Sequence, residues 1–352
     1  MVRALLFGAM LLSVALLTQI AGCANPNETA PKLHTLTGFT MGTSYMVKWP
    51  QRYGVVPAEV SDAVENTLQQ VNQQMSTYLP DSELSRFNAA PAPYQQVVSP
   101  ELAGIIQESI DLHRYTQGFF DVSIGPLVNL WGFGPDFKPD QAPADALLKQ
   151  AQEQVGIGAI RVEGQTLFKA HARYVDLSAI AKGFGVDQVA AVIEGFGIQD
   201  YLVEIGGEIR SRGHKDQGKP WQIAIEKPDV QGRAAQKVLS MFDTGMATSG
   251  DYRNYFEVDG ERYSHTIDPN TGRPSRHKLA SVTVLDPRCA RADALATAML
   301  VMGEVKAQAF AEQNQIPAYF IVREGEGFTT VASSAFDARF ATSSSTSNST
   351  VR

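Results

Sequence analysis

Cysteine is scarce in this chain of 352 residues, which contains only Cys23 and Cys289. If Cys23 carries a lipid, as its context indicates below, one thiol remains and no disulfide can form within the chain. We therefore predict that Cys289 is a buried, unreactive thiol. The alternative is a thiol nucleophile, which would need an exposed and electropositive setting.

Excess basic charge and a dinucleotide-binding glycine motif are missing as well. The formal net charge is −7, whereas proteins that track nucleic-acid phosphates carry clustered basic charge. We predict no nucleic-acid partner. A nucleotide ligand is still compatible with this charge, because a bound divalent cation reverses the local field. No G-x-G-x-x-G opens a helix after a strand, which argues against a Rossmann site.

The longest apolar run stands at the N-terminus. Arg3 is followed by a mostly apolar stretch from Ala4 to Ile20 and then by Ala21-Gly22-Cys23, a pattern typical of a secretory signal. The Ile-Ala-Gly-Cys ending resembles the bacterial lipobox, in which the cysteine is lipidated and begins the mature protein. We predict a signal peptide at residues 1–22 and a lipid anchor at Cys23, with a transmembrane anchor as the alternative.

These signals predict a protein of the cell envelope that faces the periplasm. Ala24 rather than Asp follows the cysteine, which by resemblance to bacterial sorting rules favours the outer membrane over the inner one. Residues 23–36 are polar and contain proline, as expected of a tether. The Ser/Thr-rich stretch 341–352 predicts a disordered tail. We find neither a repeat nor an evident linker between them, and predict one domain at 37–340.

Hydrophobic periodicity predicts mixed secondary structure. Short apolar or alternating runs predict strands at Tyr45–Trp49, Tyr201–Ile205, Trp221–Ile225, Ala280–Leu285 and Ala318–Val322, the last of the chain. Apolar residues at helical spacing predict helices at Ser61–Met75, Leu102–Tyr115, Leu177–Ile193 and Ala290–Met302. Because the helices are interspersed irregularly among the strands, we expect an α+β fold with largely antiparallel strands rather than repeated βαβ units.

Asp293 and Thr297 stand four residues apart in a predicted helix, which places both side chains on one face. Both offer hard oxygen atoms, the kind that Mg²⁺ prefers. The alanines around them keep that face shallow enough for a cation and a phosphate. A helix-capping Asp followed by an ordinary packed threonine explains the same residues, so the local sequence leaves both interpretations open.

The segment from Asp176 to Gly185 is a second candidate for phosphate binding. Asp176 or Ser178 could cap a helix whose free N–H groups would receive phosphate oxygens, and Lys182 would add a positive charge. Gly183 and Gly185 indicate close packing or the close approach of a ligand. A capped core helix with a surface lysine is the alternative.

His265 precedes the run Asp268-Pro269-Asn270-Thr271-Gly272, whose proline and glycine predict a tight turn. A histidine beside such a turn is placed to transfer protons or to donate to a phosphate. A structural histidine explains the position equally well on local grounds. Asp268 is interpreted as a turn former, because Asp before Pro favours turn initiation.

Aromatic and soft side chains complete the candidates. Phe119-Phe120-Asp121 joins two rings to a carboxylate shortly before a Gly-Pro turn. Adenine and isoalloxazine rings need flat apolar partners together with a few directed polar groups. Met41 and Tyr78 offer a thioether and a phenol of similar use. Ordinary core packing is the alternative for each of them.

In this order, these segments resemble the ApbE family, the FAD:protein FMN transferases. The resemblance runs from about Thr37 to about Phe340 through eight motifs: FTMGTSY, MSTYLPDSELSRFN, GFFDVSIGPLVNLWGFG, VDLSAIAKGFGVD, YLVEIGGEIRSRG, MATSGDYRNYF, YSHTIDPNTGRP and ADALATAMLVMG. It implies one compact α+β domain, ApbE-like and T-fold-like, built around a cleft for FAD.

The resemblance also implies roles for individual residues. FAD would contact Met41, Tyr78, Phe119, Phe120, Asp121, Asp176, Lys182 and Ile267. Mg²⁺, or Mn²⁺ in its place, would be bound by the backbone carbonyl of Ala179 and by Asp293 and Thr297, with Ala296 lending backbone. His265 matches a histidine associated with catalysis in the family, and Gly206-Gly207 matches a glycine pair. Some members carry Glu or another polar residue at the Lys182 position.

The implied reaction transfers FMN from FAD to a threonine of a target flavoprotein through a phosphodiester bond and releases AMP. The implied acceptors resemble flavin-accepting subunits of membrane redox complexes, which a lipid-anchored enzyme is placed to meet. Two alternatives stay open: an FAD pyrophosphatase that releases FMN and AMP, and a flavin-binding lipoprotein that delivers the cofactor without turnover.

Overall fold

A computed structural model of the protein describes residues 32–135, 142–215, 218–228, 234–252, 255–258 and 261–341. The predicted signal peptide, Cys23 and most of the tether lie outside these residues, as does the predicted tail from residue 342 onward. The described residues belong to one compact unit. Within these ranges, no helix is both long enough and apolar enough to cross a lipid bilayer.

Antiparallel strands dominate the architecture. In chain order they are β1 (Leu33–Thr40), β2 (Thr43–Pro50), β3 (Tyr94–Val97), β4 (Ile160–Glu163), β5 (Thr166–Lys169), β6 (Tyr201–Ile205), β7 (Glu208–Arg212), β8 (Trp221–Glu226), β9 (Ala235–Met241), β10 (Thr244–Gly250), β11 (Tyr255–Val258), β12 (Glu261–Ser264), β13 (Ile267–Asp268), β14 (Arg273–Pro274), β15 (Leu279–Asp286), β16 (Ala318–Glu324) and β17 (Gly327–Ala332).

The main sheet has eight strands in the order β1-β2-β6-β7-β10-β15-β16-β17. Each of these strands is antiparallel to its neighbours. Smaller antiparallel groups are β3-β5-β4, β8-β9, β11-β12 and β13-β14. The predicted α+β fold with largely antiparallel strands is therefore confirmed.

Helices connect and cover the strands. They are α1 (Pro57–Met75), α2 (Glu83–Ala89), α3 (Pro100–Tyr115), α4 (Gly125–Leu130), α5 (Asp145–Gln152), α6 (Ala181–Gly195), α7 (Cys289–Gln313) and α8 (Ser334–Ala341). Helix α6 packs on β6 and β7, and α7 packs on β10 and β15. One sheet face is thus covered by helices, with Val189 and Val203 typical of the shared core.

The opposite sheet face is covered by the β8-β9 hairpin and by α8. Strand β8 alternates strictly, so that Trp221, Ile223 and Ile225 point inward, as its sequence pattern predicts. These side chains pack with Met246 of β10 and Phe336 of α8 in one apolar cluster. The sheet therefore has two distinct cores, one on each face.

Helices α6 and α7 approach each other closely because α6 has glycine at the crossing. A Cβ atom on Gly183 would lie 2.5 Å from the carbonyl oxygen of Cys289. Asp187 of α6 then caps α7 from outside that helix, since its carboxylate accepts the N–H groups of Cys289 (3.1 Å) and Ala290 (3.0 Å). Gly183 was predicted to mark close packing or a close ligand, and the structure shows helix packing.

Several predicted boundaries were wrong. The helix predicted at Leu177–Ile193 begins only at Ala181, because Ile180 has a non-helical φ of −147°. Asp176 and Ser178 therefore do not cap α6, and Asp176 Oδ1 instead accepts the N–H of Ser178 in the preceding turn at 2.8 Å.

The two predictions near the C-terminus have different outcomes. The helix predicted at Ala290–Met302 ends as predicted, because Gly303 has a non-helical φ of 76°, and a second helical segment of α7 continues from there to Gln313. Strand β16 is not the last strand, because β17 pairs with it at the sheet edge. Four of the six residues of this edge strand are exposed, so its sequence gives only a weak apolar signal.

Candidate active site

A cleft of about 740 Å³ opens beside the central strands of the main sheet. Strands β2, β6, β7 and β10 contribute to its wall, together with the turn before α6 and the first part of α7. The predicted site residues that line it are Tyr78, Phe119, Phe120, Asp121, Asp176, Ala179, Lys182, His265, Ile267, Asp293 and Thr297. Segments spread from residue 78 to residue 297 therefore converge on one space.

Two predicted site residues, Met41 and Ala296, are not among the residues that line the cleft. Met41 lies in the turn between β1 and β2 at φ 50°, and its side chain packs against Gly185, where a Cβ would lie 2.9 Å from Met41 Cε. Ala296 is fully buried inside the core that α7 shares with the sheet. Its backbone, rather than its side chain, is what the sequence resemblance implies for metal binding.

Asp293 is a buried carboxylate at the wall of the cleft. Only 3% of its surface is exposed, and its Oδ2 accepts the N–H of Gly183 at 3.1 Å. Burial raises the pKa of Asp293, although the positive charge of Lys182 and the hydrogen bond from Gly183 favour the ionised form. The interpretation of Asp293 as the cap of its own helix is wrong, because Asp187 occupies that role.

Lys182 forms an ion pair that sequence reasoning did not predict. Its Nζ lies 2.7 Å from Oε1 of Glu208 on β7. Burial alone would lower the pKa of Lys182, but the negative charges of Asp293 and Glu208 outweigh it and hold that pKa above its ordinary value. Burial raises the pKa of Glu208 to about 7, against the opposing effect of Lys182. The lysine is therefore a charged group of the cleft, not a free surface side chain.

The oxygen donors beside Asp293 suit a divalent cation. Thr297, one helical turn further along α7, contacts Ser249 through their hydroxyl oxygens at 3.0 Å. The turn residue Ala179 lines the same cleft. A carboxylate, a hydroxyl and a backbone carbonyl are hard ligands that Mg²⁺ accepts, and Mg²⁺ leaves its other positions to water or phosphate. In the described ranges, no trio of His, Cys, Asp or Glu side chains forms a metal site, so the cation would rely on these mixed oxygens.

His265 lies between β12 and β13, where a rigid turn holds its neighbours. Asp268 Oδ1 accepts the N–H of Asn270 (2.9 Å), and the Asp268 carbonyl accepts the N–H of Gly272 (2.8 Å). Gly272 has φ 68°, which confirms the predicted glycine turn and Asp268 as a turn former. The ring of Phe133 lies edge-on to His265, with 6.2 Å between ring centroids. The histidine is thereby oriented at the cleft wall.

The aromatic segment divides into a lining part and a supporting part. Tyr78 is 68% exposed and Phe119 is partly buried, whereas Phe120 is 2% exposed and belongs to the core. Asp121 Oδ1 accepts from both the N–H (2.8 Å) and the hydroxyl (2.6 Å) of Ser123. The Asp121 carboxylate therefore holds the loop. Tyr78 offers open ring surface to a ligand, while Phe119 lines the cleft with Lys306 Nζ 5.1 Å from its ring centroid.

Known proteins are similar to this chain across all the segments that line the cleft. The profile of the ApbE family matches residues 41–320. The chain belongs to the ApbE family. A Vibrio cholerae protein named FAD:protein FMN transferase is 49% identical over 328 residues, which cover 93% of this chain and 97% of the relative. A Haemophilus influenzae protein of the same name is 46% identical over 335 residues, or 93% of this chain and 96% of that one.

Solved ApbE structures share the fold. The flavin transferase ApbE from Vibrio cholerae superposes with a TM-score of 0.82 at 48% identity, over 88% of this chain and 99% of that chain. The Pseudomonas stutzeri flavinyl transferase ApbE, in its apo form, gives a TM-score of 0.81 at 42% identity, over 88% and 96% of the two chains. The α+β domain of this ApbE protein is thus the fold of known flavin transferases.

Sequence reasoning missed three groups of this ApbE site: Glu208, Ser249 and Asp187. Glu208 follows the glycine pair Gly206-Gly207, so a carboxylate next to a turn at the cleft was visible in the sequence. Its pairing with Lys182 was not visible, because only tertiary structure joins β7 to α6.

The prediction for Cys289 is confirmed in this ApbE protein. The residue is fully buried at the start of α7, and its Sγ lies 3.7 Å from the carbonyl oxygen of Met246. Burial, followed by the negative charge of Asp187, raises the pKa of Cys289 well above its ordinary value. The predicted burial is confirmed, and a buried thiol with a raised pKa carries little of the thiolate that a nucleophile needs.

Proposed function

We propose that this ApbE protein, an FAD:protein FMN transferase, binds FAD with Mg²⁺ in the cleft and joins FMN to a threonine of a target flavoprotein, with release of AMP. The observation that carries the proposal is the buried Asp293 carboxylate at the cleft wall, beside Thr297 and the turn at Ala179. A buried carboxylate of this kind needs a cationic partner.

The size and lining of the cleft support FAD as the substrate. Its volume of about 740 Å³ falls within the range of roughly 300–1,000 Å³ that is typical of ligand pockets. Tyr78 and Phe119 provide ring surface for a flat heterocycle. Lys182 provides a positive charge for phosphate oxygens, in the part of the cleft that also contains Asp293.

In the proposed reaction, the threonine hydroxyl oxygen of the target attacks the phosphorus on the FMN side of the diphosphate. The new P–O bond forms as the bond to the bridging oxygen breaks, and AMP leaves with that oxygen. Phosphoryl transfer depends chiefly on alignment and on neutralising charge. A bound Mg²⁺ would supply Lewis-acid charge stabilisation to the diphosphate.

The side chains of the protein divide the remaining work. Asp293, Thr297 and the Ala179 carbonyl would hold the cation, and Lys182 would bind a phosphate oxygen. We assign proton transfer to His265, because it lines the cleft and is oriented by the neighbouring turn and by Phe133. Phe120 and Asp121 hold the loop that carries Phe119.

The N-terminal motif supports a place and a partner for this reaction. Residues 1–22 have the pattern of a signal peptide, and Cys23 stands at a lipobox-like position. We propose a lipid anchor at Cys23 in the cell envelope, with the catalytic domain in the periplasm. Flavin-accepting subunits of membrane redox complexes would be the targets, which an enzyme tethered at a membrane is placed to meet.

Mass spectrometry of a co-expressed acceptor domain tests the proposal. The acceptor should gain the mass of FMN less one water on a threonine, and AMP should appear in equal amount when the purified proteins react with FAD and Mg²⁺. Asp293→Ala and His265→Ala should abolish or strongly reduce the modification. Asp111→Ala and His171→Ala, at exposed positions, serve as matched controls and should leave it unchanged.

Two outcomes would contradict this assignment. Release of FMN and AMP without any modified acceptor would indicate an FAD pyrophosphatase. Intact FAD after prolonged incubation with enzyme, Mg²⁺ and acceptor would indicate a flavin-binding protein without turnover.

A further inference from the structure

Glu208 is a buried carboxylate to which the proposed reaction gives no role. It lines the cleft although only 3% of its surface is exposed. Its Oε1 lies 2.7 Å from Lys182 Nζ, while Oε2 is buried without a hydrogen-bond partner among the described residues. Burying a charged group with one oxygen unsatisfied opposes folding. Stability therefore does not account for a carboxylate at this position.

The Lys182 ammonium is under the influence of two carboxylates. Both Asp293 and Glu208 raise the pKa of Lys182, but the close ion pair is made with Glu208. The Asp293 carboxylate instead accepts a hydrogen bond from the uncharged N–H of Gly183. If the ammonium paired with Asp293 instead, it would neutralise the carboxylate that a divalent cation needs.

We propose that Glu208 is a positioning residue that tethers the Lys182 ammonium away from Asp293, and so keeps the Asp293 carboxylate open to a divalent cation. The inference rests on the proposed metal site at Asp293. With all three groups ionised, two negative charges face one positive charge, and the site attracts a cation. Without Glu208, the charges of Lys182 and Asp293 cancel, and the attraction is lost.

The position of Glu208 in the sheet agrees with this role. Glu208 is paired with Ile205 across β6 and β7, and Ile205 belongs to the core on the helix-covered face. Directly opposed residues of antiparallel strands share a face, so Glu208 points toward α6, the helix that carries Lys182. The adjacent glycine pair has φ of 62° and 105°, and a Cβ on Gly206 would lie 3.4 Å from Lys182 Cδ. The closest atom to that Cβ would be Thr43 Cγ2, at 2.7 Å, so the turn passes close to both side chains.

Binding of Mn²⁺ to the metal-free protein, measured by electron paramagnetic resonance without FAD, tests the tether. Glu208→Gln keeps the shape but removes the charge, and should raise the Kd for Mn²⁺ about tenfold or more. Adding Lys182→Met to Glu208→Gln removes the competing ammonium, and should return the Kd to within about threefold of wild type. Glu194→Gln is the matched control and should not change the Kd for Mn²⁺. Glu194 lies on α6, the helix that carries Lys182, and is paired with Arg212.

Comparing Glu208→Gln with the double variant separates tethering from a structural role. If Glu208 were needed only for the structure, adding Lys182→Met would not restore Mn²⁺ binding. A Glu208→Gln protein that binds Mn²⁺ within about twofold of wild type, or a double variant no better than Glu208→Gln, would overturn the proposal. Thermal unfolding identifies misfolded variants; if Glu208→Gln misfolds, Glu208→Asp should still raise the Kd, since the shorter side chain loosens the ion pair. Asp293→Asn tests the underlying metal site on its own: Mn²⁺ binding unchanged in that variant would remove the metal from the proposed function.

Discussion

The sheet face covered by α6 and α7 buries charged groups beside an apolar core, whereas the face covered by the β8-β9 hairpin and α8 packs large apolar side chains in one cluster. Asp293 and Glu208 are both 3% exposed on the first face. Trp221, Met241 and Phe336 are at most 2% exposed on the second. The same eight strands thus support two apolar interiors, of which the one beside α6 and α7 also holds buried carboxylates.

This difference indicates a division between activity and stability. Apolar burial on the hairpin face contributes to folding in proportion to the area removed from water. Buried carboxylates on the helix face oppose folding unless a cation compensates them. We therefore expect removal of a buried charge on the helix face to reduce activity with little loss of stability, and truncation of a large apolar side chain on the hairpin face to do the reverse.

The largest effect is expected for Asp293→Asn. The amide keeps an oxygen that can accept the Gly183 N–H but removes the charge that would hold a cation, so flavin transfer should fall on the order of 10³-fold or more. The free energy of unfolding of the metal-free protein should stay equal or rise, because a buried charge is lost. Flavin fluorescence of the acceptor and urea unfolding measure the two quantities. A large loss of stability in Asp293→Asn would contradict the proposed division between activity and stability.

Phe336→Ala is the opposite test on the hairpin face. Phe336 is fully buried and packs against the rings of Tyr319 and Phe340, with ring centroids 5.3 and 5.0 Å away. Its truncation should lower the free energy of unfolding by about 3–5 kcal/mol, while the folded protein keeps its kcat and its Kd for Mn²⁺. Phe340→Ala, at a partly buried neighbour, should have a smaller effect. Weaker metal binding by folded Phe336→Ala protein would contradict the comparison.

The sequence predicted most secondary-structure elements, but it did not predict the tertiary contacts that organise the candidate site. Local alternation predicted β8 because each inward residue is apolar, and the four-residue spacing of Asp293 and Thr297 predicted a shared helix face. The start of α6 was predicted too early: Leu177 and Ile180 fit helical spacing, but Ile180 adopts a φ of −147°. The spacing of apolar residues does not determine backbone angles, so it could not locate the start of α6.

The contacts that organise the site lie beyond local patterns. Asp187 caps α7 across 102 positions of sequence, and the Lys182–Glu208 pair joins a helix to a strand. Each of these carboxylates looks like an ordinary charged residue when it is read along the chain. The family resemblance implied the proposed metal ligands, yet it did not imply the Lys182–Glu208 ion pair beside them.

Gly183→Ala tests whether the helix face depends on the close approach of α6 and α7. The added Cβ would lie 2.5 Å from the Cys289 carbonyl oxygen and 2.8 Å from Ala290 Cα, so the helices must separate. We expect a loss of about 1–3 kcal/mol in the free energy of unfolding, together with weaker Mn²⁺ binding because Asp293 shifts. Gly195→Ala on the same helix has open space around it and should be neutral or slightly stabilising. Equal effects of the two variants would contradict the packing argument.

The smallest expected effect is a pH dependence of the metal-free protein that arises on the helix face. Burial raises the pKa of Glu208 to about 7, so the folded protein takes up a proton on this carboxyl more readily than the unfolded chain does. Stability should therefore rise as the pH falls from 8 to 6, by on the order of 1 kcal/mol. Glu208→Gln has no proton to gain there and should lose that part of the pH dependence, whereas Phe336→Ala should keep it. Urea unfolding at the two pH values measures the difference.

If the free energy of unfolding of Glu208→Gln still depends on pH in this range, the titrating group lies elsewhere. The helix face would then carry less uncompensated charge than its buried carboxylates indicate.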